Sequence, residues 1–180
     1  MSSLDFLVSL PFKLYLMIVL LRFWLQLARA DFYNPFSQFI VKATHPLIGP
    51  MRRVIPSIGR FDSATILLAW LVAIAKIVVL SLISGFALNN FIAIGFTGLL
   101  ILVKEGLELV MYVLILRAIM SWVSQGRNPM EWVLSQLTEP MLAPIRRRLP
   151  DLGGLDLSVM VVLLIVIFLQ KLMGDLFGFY

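Results

Sequence analysis

Cysteine is absent from this chain and histidine occurs once, at His45. Without cysteine there is no disulfide, no thiolate nucleophile and no sulfur-ligated metal. A lone histidine denies the chain a multi-histidine site. Charge is also scarce. Only 14% of the 180 residues are Asp, Glu, Lys or Arg, against about a quarter in a soluble domain. No Ser-His-Asp set, metal-ligand cluster or phosphate cradle is visible, and Gly95-Phe-Thr-Gly98 is too short for a glycine fingerprint. We therefore expect no catalytic residue, no metal and no cofactor, which argues against an enzyme. Met1-Ser-Ser-Leu-Asp5 lacks both a basic stretch and a small-residue cleavage site. The first apolar run thus reads as a retained helix.

What the chain does have is apolar length. Apolar residues make up 61% of it, and the mean hydropathy is +0.98. A membrane helix needs about 20 mainly apolar residues. Four stretches qualify: Leu4 to Leu27, Ser63 to Ser84, Leu100 to Val123, and Leu157 to Leu172 and a little beyond. Residues 86–99 are apolar too, but Asn89-Asn90, Gly95 and Gly98 interrupt them. That stretch is short for a span and reads as re-entrant or interfacial.

The second positive feature is a duplication. Asn34-Pro35, Thr44, Pro46, Pro50, Arg52-Arg53, Pro56, Gly59 and Asp62 return at one constant interval as Asn128-Pro129, Thr138, Pro140, Pro144, Arg146-Arg147, Pro150, Gly153 and Asp156. A duplicated unit fixes the architecture. We expect an all-α membrane protein of two tandem repeats, each a membrane helix, an amphipathic and proline-rich basic loop, and a second membrane helix. Residues 1–85 form the first repeat, 86–99 a short linker and 100–180 the second.

Charge sets the topology. Net charge is +5, and the basic residues gather in the two loops: Arg29, Lys42, Arg52, Arg53 and Arg60, then Arg127, Arg146, Arg147 and Arg148. This fits the positive-inside rule and anionic headgroups better than nucleic acid. Four spans place both loops in the cytoplasm and both termini outside. The repeats are then parallel, related by a pseudo-two-fold axis along the membrane normal.

Asn34-Pro35 and Asn128-Pro129 read as N-caps followed by proline at the first helical position. Phe36, Phe39, Ile40 and Ala43 keep a helical beat, as do Met130, Val133, Leu134 and Leu137. Proline at 46 and 140 is expected to end each helix after about ten residues. Arg52, Arg53, Arg146, Arg147 and Arg148 have two readings: topology and lipid or partner contact, or a structured ion pair or ligand site. Asp62 and Asp156 stand at the start of the second and fourth spans, where a carboxylate caps the helix. The alternative is an ion-binding pair. Arg22 and Arg117 sit near the inner ends of their helices and can snorkel. Lys13, Lys76, Glu105, Glu108 and Lys171 fall inside apolar runs as a candidate intramembrane cluster, read as satisfied ion pairs or as a pathway. His45, before a loop proline and matching Glu139, reads as an interfacial polar residue.

Phe32-Tyr-Asn-Pro-Phe-Ser-Gln38, Pro46-Leu-Ile-Gly-Pro-Met-Arg-Arg-Val-Ile-Pro56, Met120-Ser-Trp-Val-Ser-Gln-Gly-Arg-Asn-Pro129 and Pro144-Ile-Arg-Arg-Arg-Leu-Pro150 carry a resemblance to the YggT family of bacterial integral membrane proteins. It covers nearly the whole chain, and the two-copy form is similar to the proteobacterial branch. The resemblance implies a multi-pass inner-membrane protein. Bacterial members are associated with osmotic tolerance and with cation, especially potassium, homeostasis. Relatives elsewhere are linked to cell-division neighbourhoods, and plastid relatives to cytochrome b haem assembly. Such dissimilar associations suit a scaffold or assembly factor, with anionic phospholipids and other membrane proteins as partners and self-association as an option. Small-residue spacing such as Ala69/Ala73 and Ser81/Gly85 supports close helix approach. An oligomeric cation channel is the alternative.

Overall fold

The computed structural model describes residues 3–85, 90–123, 128–148 and 156–178. Asn89, Arg127, Pro150 and Gly153, singled out above, lie outside them. Among the described residues the chain is all helical: α1 (Ser3–Leu27), α2 (Pro35–Val54), α3 (Ser63–Ser84), α4 (Phe91–Val123), α5 (Pro129–Arg146) and α6 (Leu157–Phe177). Three of these, α1, α3 and α6, are long and apolar enough to cross a membrane. In α3 the apolar run starts at a side-chain cap, Asp62, and stops at Gly85, whose φ of 71° is a left-handed conformation that glycine adopts without strain.

Two expectations are corrected. The prolines do not end the loop helices. α2 runs through Pro46 and Pro50 to Val54, and α5 through Pro140 and Pro144 to Arg146. A proline removes the hydrogen bond to the carbonyl four residues back. In α2 those carbonyls belong to Lys42 and Pro46, which with Pro50 form one exposed stripe at four-residue spacing. The freed oxygens therefore belong to residues on an exposed face, where solvent can satisfy them.

The second correction concerns residues 86–99. From Phe91 onward this stretch is helical and runs without a break into the apolar segment after it, so α4 is one helix of 33 residues, about 50 Å long. It includes the span expected at Leu100 to Val123 together with Lys104, Glu105, Glu108 and Arg117. Gly95 and Gly98 do not break it. The Trp70 indole donates to the Gly95 carbonyl at 2.9 Å, and a Cβ on Gly98 would stand 3.0 Å from Ile74 and 3.2 Å from Trp70. Gly98 lets α4 meet α3 closely, whereas a Cβ on Gly95 would stand at an ordinary 3.5 Å from Trp70.

The chain packs as two compact units: Met1–Leu27 with Phe39–Gly106, and Ala28–Gln38 with Leu107–Tyr180. In the first unit α1 packs on α3. Leu16, Val19 and Leu20 are buried, as are Ala64, Ala69 and Ala73, whose small side chains allow backbones to approach. Phe23 meets Phe61 edge to face at 5.2 Å between ring centroids, so the C-terminal end of α1 lies beside the start of α3. In the second unit Leu114 of α4, Leu142 of α5 and Val162 and Val166 of α6 form a buried core.

Candidate functional site

Each unit contains a polar site made of repeat-equivalent residues. In the first, Arg22 of α1 is buried. Its Nη1 donates to Thr44 Oγ1 at 2.6 Å and to the Val41 carbonyl at 3.1 Å. The Thr44 hydroxyl in turn donates to the Ile40 carbonyl at 2.7 Å, which leaves a lone pair for the guanidinium. Farther along α2, Arg52 donates to the Asp62 carboxylate and, at 2.6 Å, to Gln26 Oε1. Asp62 caps α3: Oδ1 accepts from the Thr65 amide at 3.4 Å, and Oδ2 accepts from the Thr65 hydroxyl. The Asp62 side chain is fully buried whereas Arg52 is 38% exposed. Burial pushes the Asp62 carboxyl up, but the Arg52 and Thr65 donors outweigh it and hold the group below its ordinary range.

The second unit repeats the plan with one difference. Arg117 of α4 donates to the Thr138 hydroxyl, which donates to the Leu134 carbonyl at 2.7 Å. Arg146 donates to Asp156 Oδ2 at 2.6 Å. Asp156 Oδ1 accepts from the Ser158 amide at 3.1 Å and from its hydroxyl, capping α6. Glu139 stands where the first repeat has His45. It joins the two arginines, with Oε2 at 3.3 Å from Arg117 and Oε1 at 2.9 Å from Arg146. Hydrogen bonding to Asp156 raises the Arg146 pKa against the opposing effect of burial. Burial pushes the Asp156 carboxyl up, but the Ser158 and Arg146 donors prevail and lower it. Arg146 and Asp156 are 44% and 37% exposed, so this site is more open than the first.

The arrangement is a lock. Within its unit, the proline-containing helix is bonded to the helix before it through an arginine and a threonine. It is bonded to the first turn of the helix after it through an arginine and an aspartate. Of the arginines expected at lipid or partner contacts, Arg52 and Arg146 are engaged in these ion pairs, while Arg53, Arg147 and Arg148 are exposed. Arg22 and Arg117 are held by threonines in their units. His45 is exposed. Among the described residues, no group of three His, Asp or Glu could hold a metal ion.

A family model described as CCB3/YggT matches residues 1–83 and 96–177. The chain belongs to the CCB3/YggT family. Each matched segment of the CCB3/YggT model contains one complete lock. The chain is 58% identical over 179 residues to a Vibrio alginolyticus protein from the proC 3′ region, covering 99% of this chain and 97% of that one. It is 52% identical over 166 residues to the YggT protein of Escherichia coli K12, 92% of this chain and 86% of that one. With a Pseudomonas aeruginosa protein it shares 45% identity over 148 residues, 81% and 75% of the two chains. No solved structure matches.

The intramembrane candidates divide between the units of this CCB3/YggT chain. Lys13, Lys76 and Glu105 line one cavity of the first unit. Lys76 Nζ lies 3.6 Å from Glu105 Oε1. Glu108 Oε1 accepts from the Tyr112 hydroxyl at 2.6 Å, and Lys171 is 3.9 Å from Asp175, both in the second unit. Reading the sequence missed Thr44, Thr138, Gln26, Thr65, Ser158 and the bridging role of Glu139. The available signal was the recurrence of Thr44 as Thr138 at the repeat interval, on the same face as the buried residues four before, Ile40 and Leu134.

Proposed function

We propose that this CCB3/YggT protein is a non-enzymatic, multi-pass inner-membrane scaffold or assembly factor. Its two proline-containing basic segments face the cytoplasm and its termini the periplasm. There it engages anionic phospholipids and other membrane proteins, alone or as a homo-oligomer, and so supports osmotic tolerance and potassium balance. The observation that carries this reading is the division of labour within each arginine run. One arginine, Arg52 or Arg146, is tied to the aspartate cap. The next, Arg53 or Arg147, is left exposed on the rigid platform that results. In the first unit that platform also exposes Val54 and Ile58. Basic groups beside apolar side chains suit an interface with headgroups or with the inner ends of other membrane helices.

The test is a variant with Arg53, Arg147 and Arg148 changed to Gln, which spares both locks. Each charge is worth about 1 kcal/mol near an anionic surface. The expected outcome, with orientation unchanged, is loss of co-purifying anionic phospholipid or partner protein and poorer growth at high osmolarity. An oligomeric cation channel or transporter component is the second reading, favoured by the Lys76–Glu105 pair inside the apolar helices. Purified wild-type protein is expected to give no single-channel current in planar bilayers under a potassium gradient. A reproducible cation-selective conductance refutes the scaffold and installs the channel.

A further inference from the structure

The second lock holds a carboxylate that the first lacks. Glu139 is gripped by Arg117 Nη2 at 3.3 Å and by Arg146 Nη1 at 2.9 Å. The remaining terminal nitrogens of these arginines serve the lock itself: Arg117 Nη1 donates to Thr138, and Arg146 Nη2 to Asp156. The first unit repeats that inner set atom for atom. Arg22 Nη1 donates to Thr44, and Arg52 Nη2 to Asp62. Arg22 Nη2 and Arg52 Nη1 are the counterparts of the two nitrogens that grip Glu139. Among the described residues neither has a partner.

His45 has the position of Glu139 in the repeat but does not replace it. Its ring lies against Gly49, where an added Cβ would stand 3.5 Å away, and among the described residues it makes no hydrogen bond or ion pair. The two arginines are nonetheless brought together, since Arg22 lies within electrostatic reach of both Arg52 and Asp62. The second lock thus balances two arginines with two carboxylates, whereas the first sets two arginines against Asp62 alone. Cations gathered in a poorly hydrated place are costly, and a second carboxylate relieves that cost. The place can be reached. Arg22 is buried, but none of its nitrogens is both sealed from the surface and unbonded, and Arg52 is 38% exposed. Planar guanidinium groups match the two oxygens of a carboxylate.

We infer that the first lock binds a carboxylate from outside the chain, held between Arg22 and Arg52 as the second lock holds that of Glu139. The carboxylate belongs to a small molecule or to an acidic side chain of a partner protein. The site goes beyond the scaffold reading and does not rest on the docking role of Arg53, Arg147 and Arg148.

The test uses the full chain in phosphatidylcholine nanodiscs, which carry no net charge, and reads Tm by tryptophan fluorescence. Sodium acetate is one probe and a blocked tripeptide with a central glutamate is the other. Each is compared at equal ionic strength with sodium chloride, and the peptide also with its glutamine form. At about twice its Kd a probe should raise the Tm of wild-type protein by about 1–3 °C. His45→Glu supplies the missing carboxylate from the chain itself, so it should raise Tm without a probe and abolish the response. His45→Gln should respond as wild type does, which separates charge from a change in folding. Glu139→Ala empties the second lock and should add a second response there. The variant with Arg53, Arg147 and Arg148 changed to Gln should respond as wild type, so that failure here and failure of the docking role are told apart. An acetate response equal to that of the peptide assigns the site to a small carboxylate, and a stronger peptide response assigns it to a partner's side chain. No response to either probe beyond that to chloride, or a His45→Glu variant that responds like wild type, overturns the inference.

Discussion

Replacing Asp62 by alanine should damage the protein more than the matching change at Asp156, although the two residues occupy the same place in the repeat. Both lose a helix cap, costing about 1 kcal/mol. Asp62 is fully buried and accepts from Arg52 and from the Thr65 amide and hydroxyl. Hydrogen bonds to a charged group contribute about 1.5–3 kcal/mol, discounted here because Arg52 is 38% exposed. Asp62→Ala should therefore cost about 3 kcal/mol in total. At Asp156 both partners are more than a third exposed, so the ion pair adds only about 0.5 kcal/mol and the total is about 1.5. For a chain of this size about 1 kcal/mol moves Tm by roughly 2–4 °C. Tryptophan-fluorescence melts in nanodiscs should then separate the variants by several degrees. Asp62→Asn keeps the cap but loses the charge and should fall between wild type and Asp62→Ala. Acid gives a second handle. The folded-state pKa of Asp62 is depressed, so its contribution is present above about pH 3.9, the ordinary aspartate value. It is lost as pH falls through the lower folded value. That acid sensitivity should diminish in Asp62→Asn. Equal losses at the two sites, or an Asp62→Asn variant as stable as wild type, would refute this account of the lock.

The α3–α4 contact predicts opposite outcomes for two glycines of one helix. Gly98→Val should lower Tm by several degrees because the added carbons meet Ile74 and Trp70, while Gly106→Ala has open space and should be neutral or stabilising by about 0.5–1 kcal/mol. Thermal melts of the pair check this, and similar losses at both would remove close packing as the reason for Gly98. Orientation is open to labelling with a membrane-impermeant thiol reagent in intact cells. Single cysteines at the exposed positions Ser57 and Trp132 should stay unlabelled and one at Ser3 should react; labelling of only one of the two loop positions would overturn the shared cytoplasmic face. Ser37 is buried and cannot report on sidedness.

The helix type, the apolar runs at α1, α3 and α6, and the position of both aspartates before α3 and α6 could be read from periodicity and punctuation. The extent of α2 and α5 could not, because a proline's effect depends on which way its freed carbonyl faces, and that is a tertiary fact. Gly95 and Gly98 misled for a related reason. Glycine weakens a helix on propensity, yet at Gly98 Trp70 and Ile74 on another helix need the space, and at Gly95 the Trp70 indole bonds the helix carbonyl. The pairing of Arg22 with Thr44 and of Arg117 with Thr138 was hidden by a one-residue difference in spacing. The threonines recur at the repeat interval, the arginines at one residue more. The Arg52–Asp62 and Arg146–Asp156 pairs stood among the alternatives but could not be chosen without the helix geometry that brings residues ten apart together.

The Lys76–Glu105 pair also bears on the order in which the protein is made. Lys76 lies on α3 and its carboxylate partner on α4, so a chain inserted as it is synthesised presents the lysine to the bilayer before the glutamate exists. A lysine at a helix centre opposes insertion by about 2.5–3.5 kcal/mol. Each Leu, Ile or Val favours it by about 0.3–0.6 kcal/mol, and α3 has many of these and no other charge. α3 can thus enter unaided. The part of α4 that carries Lys104, Glu105 and Glu108 is far less suited to enter alone, and the waiting ammonium of Lys76 offers it a partner already in place. On the membrane placement proposed above, α3 would in this sense serve as the template on which α4 enters.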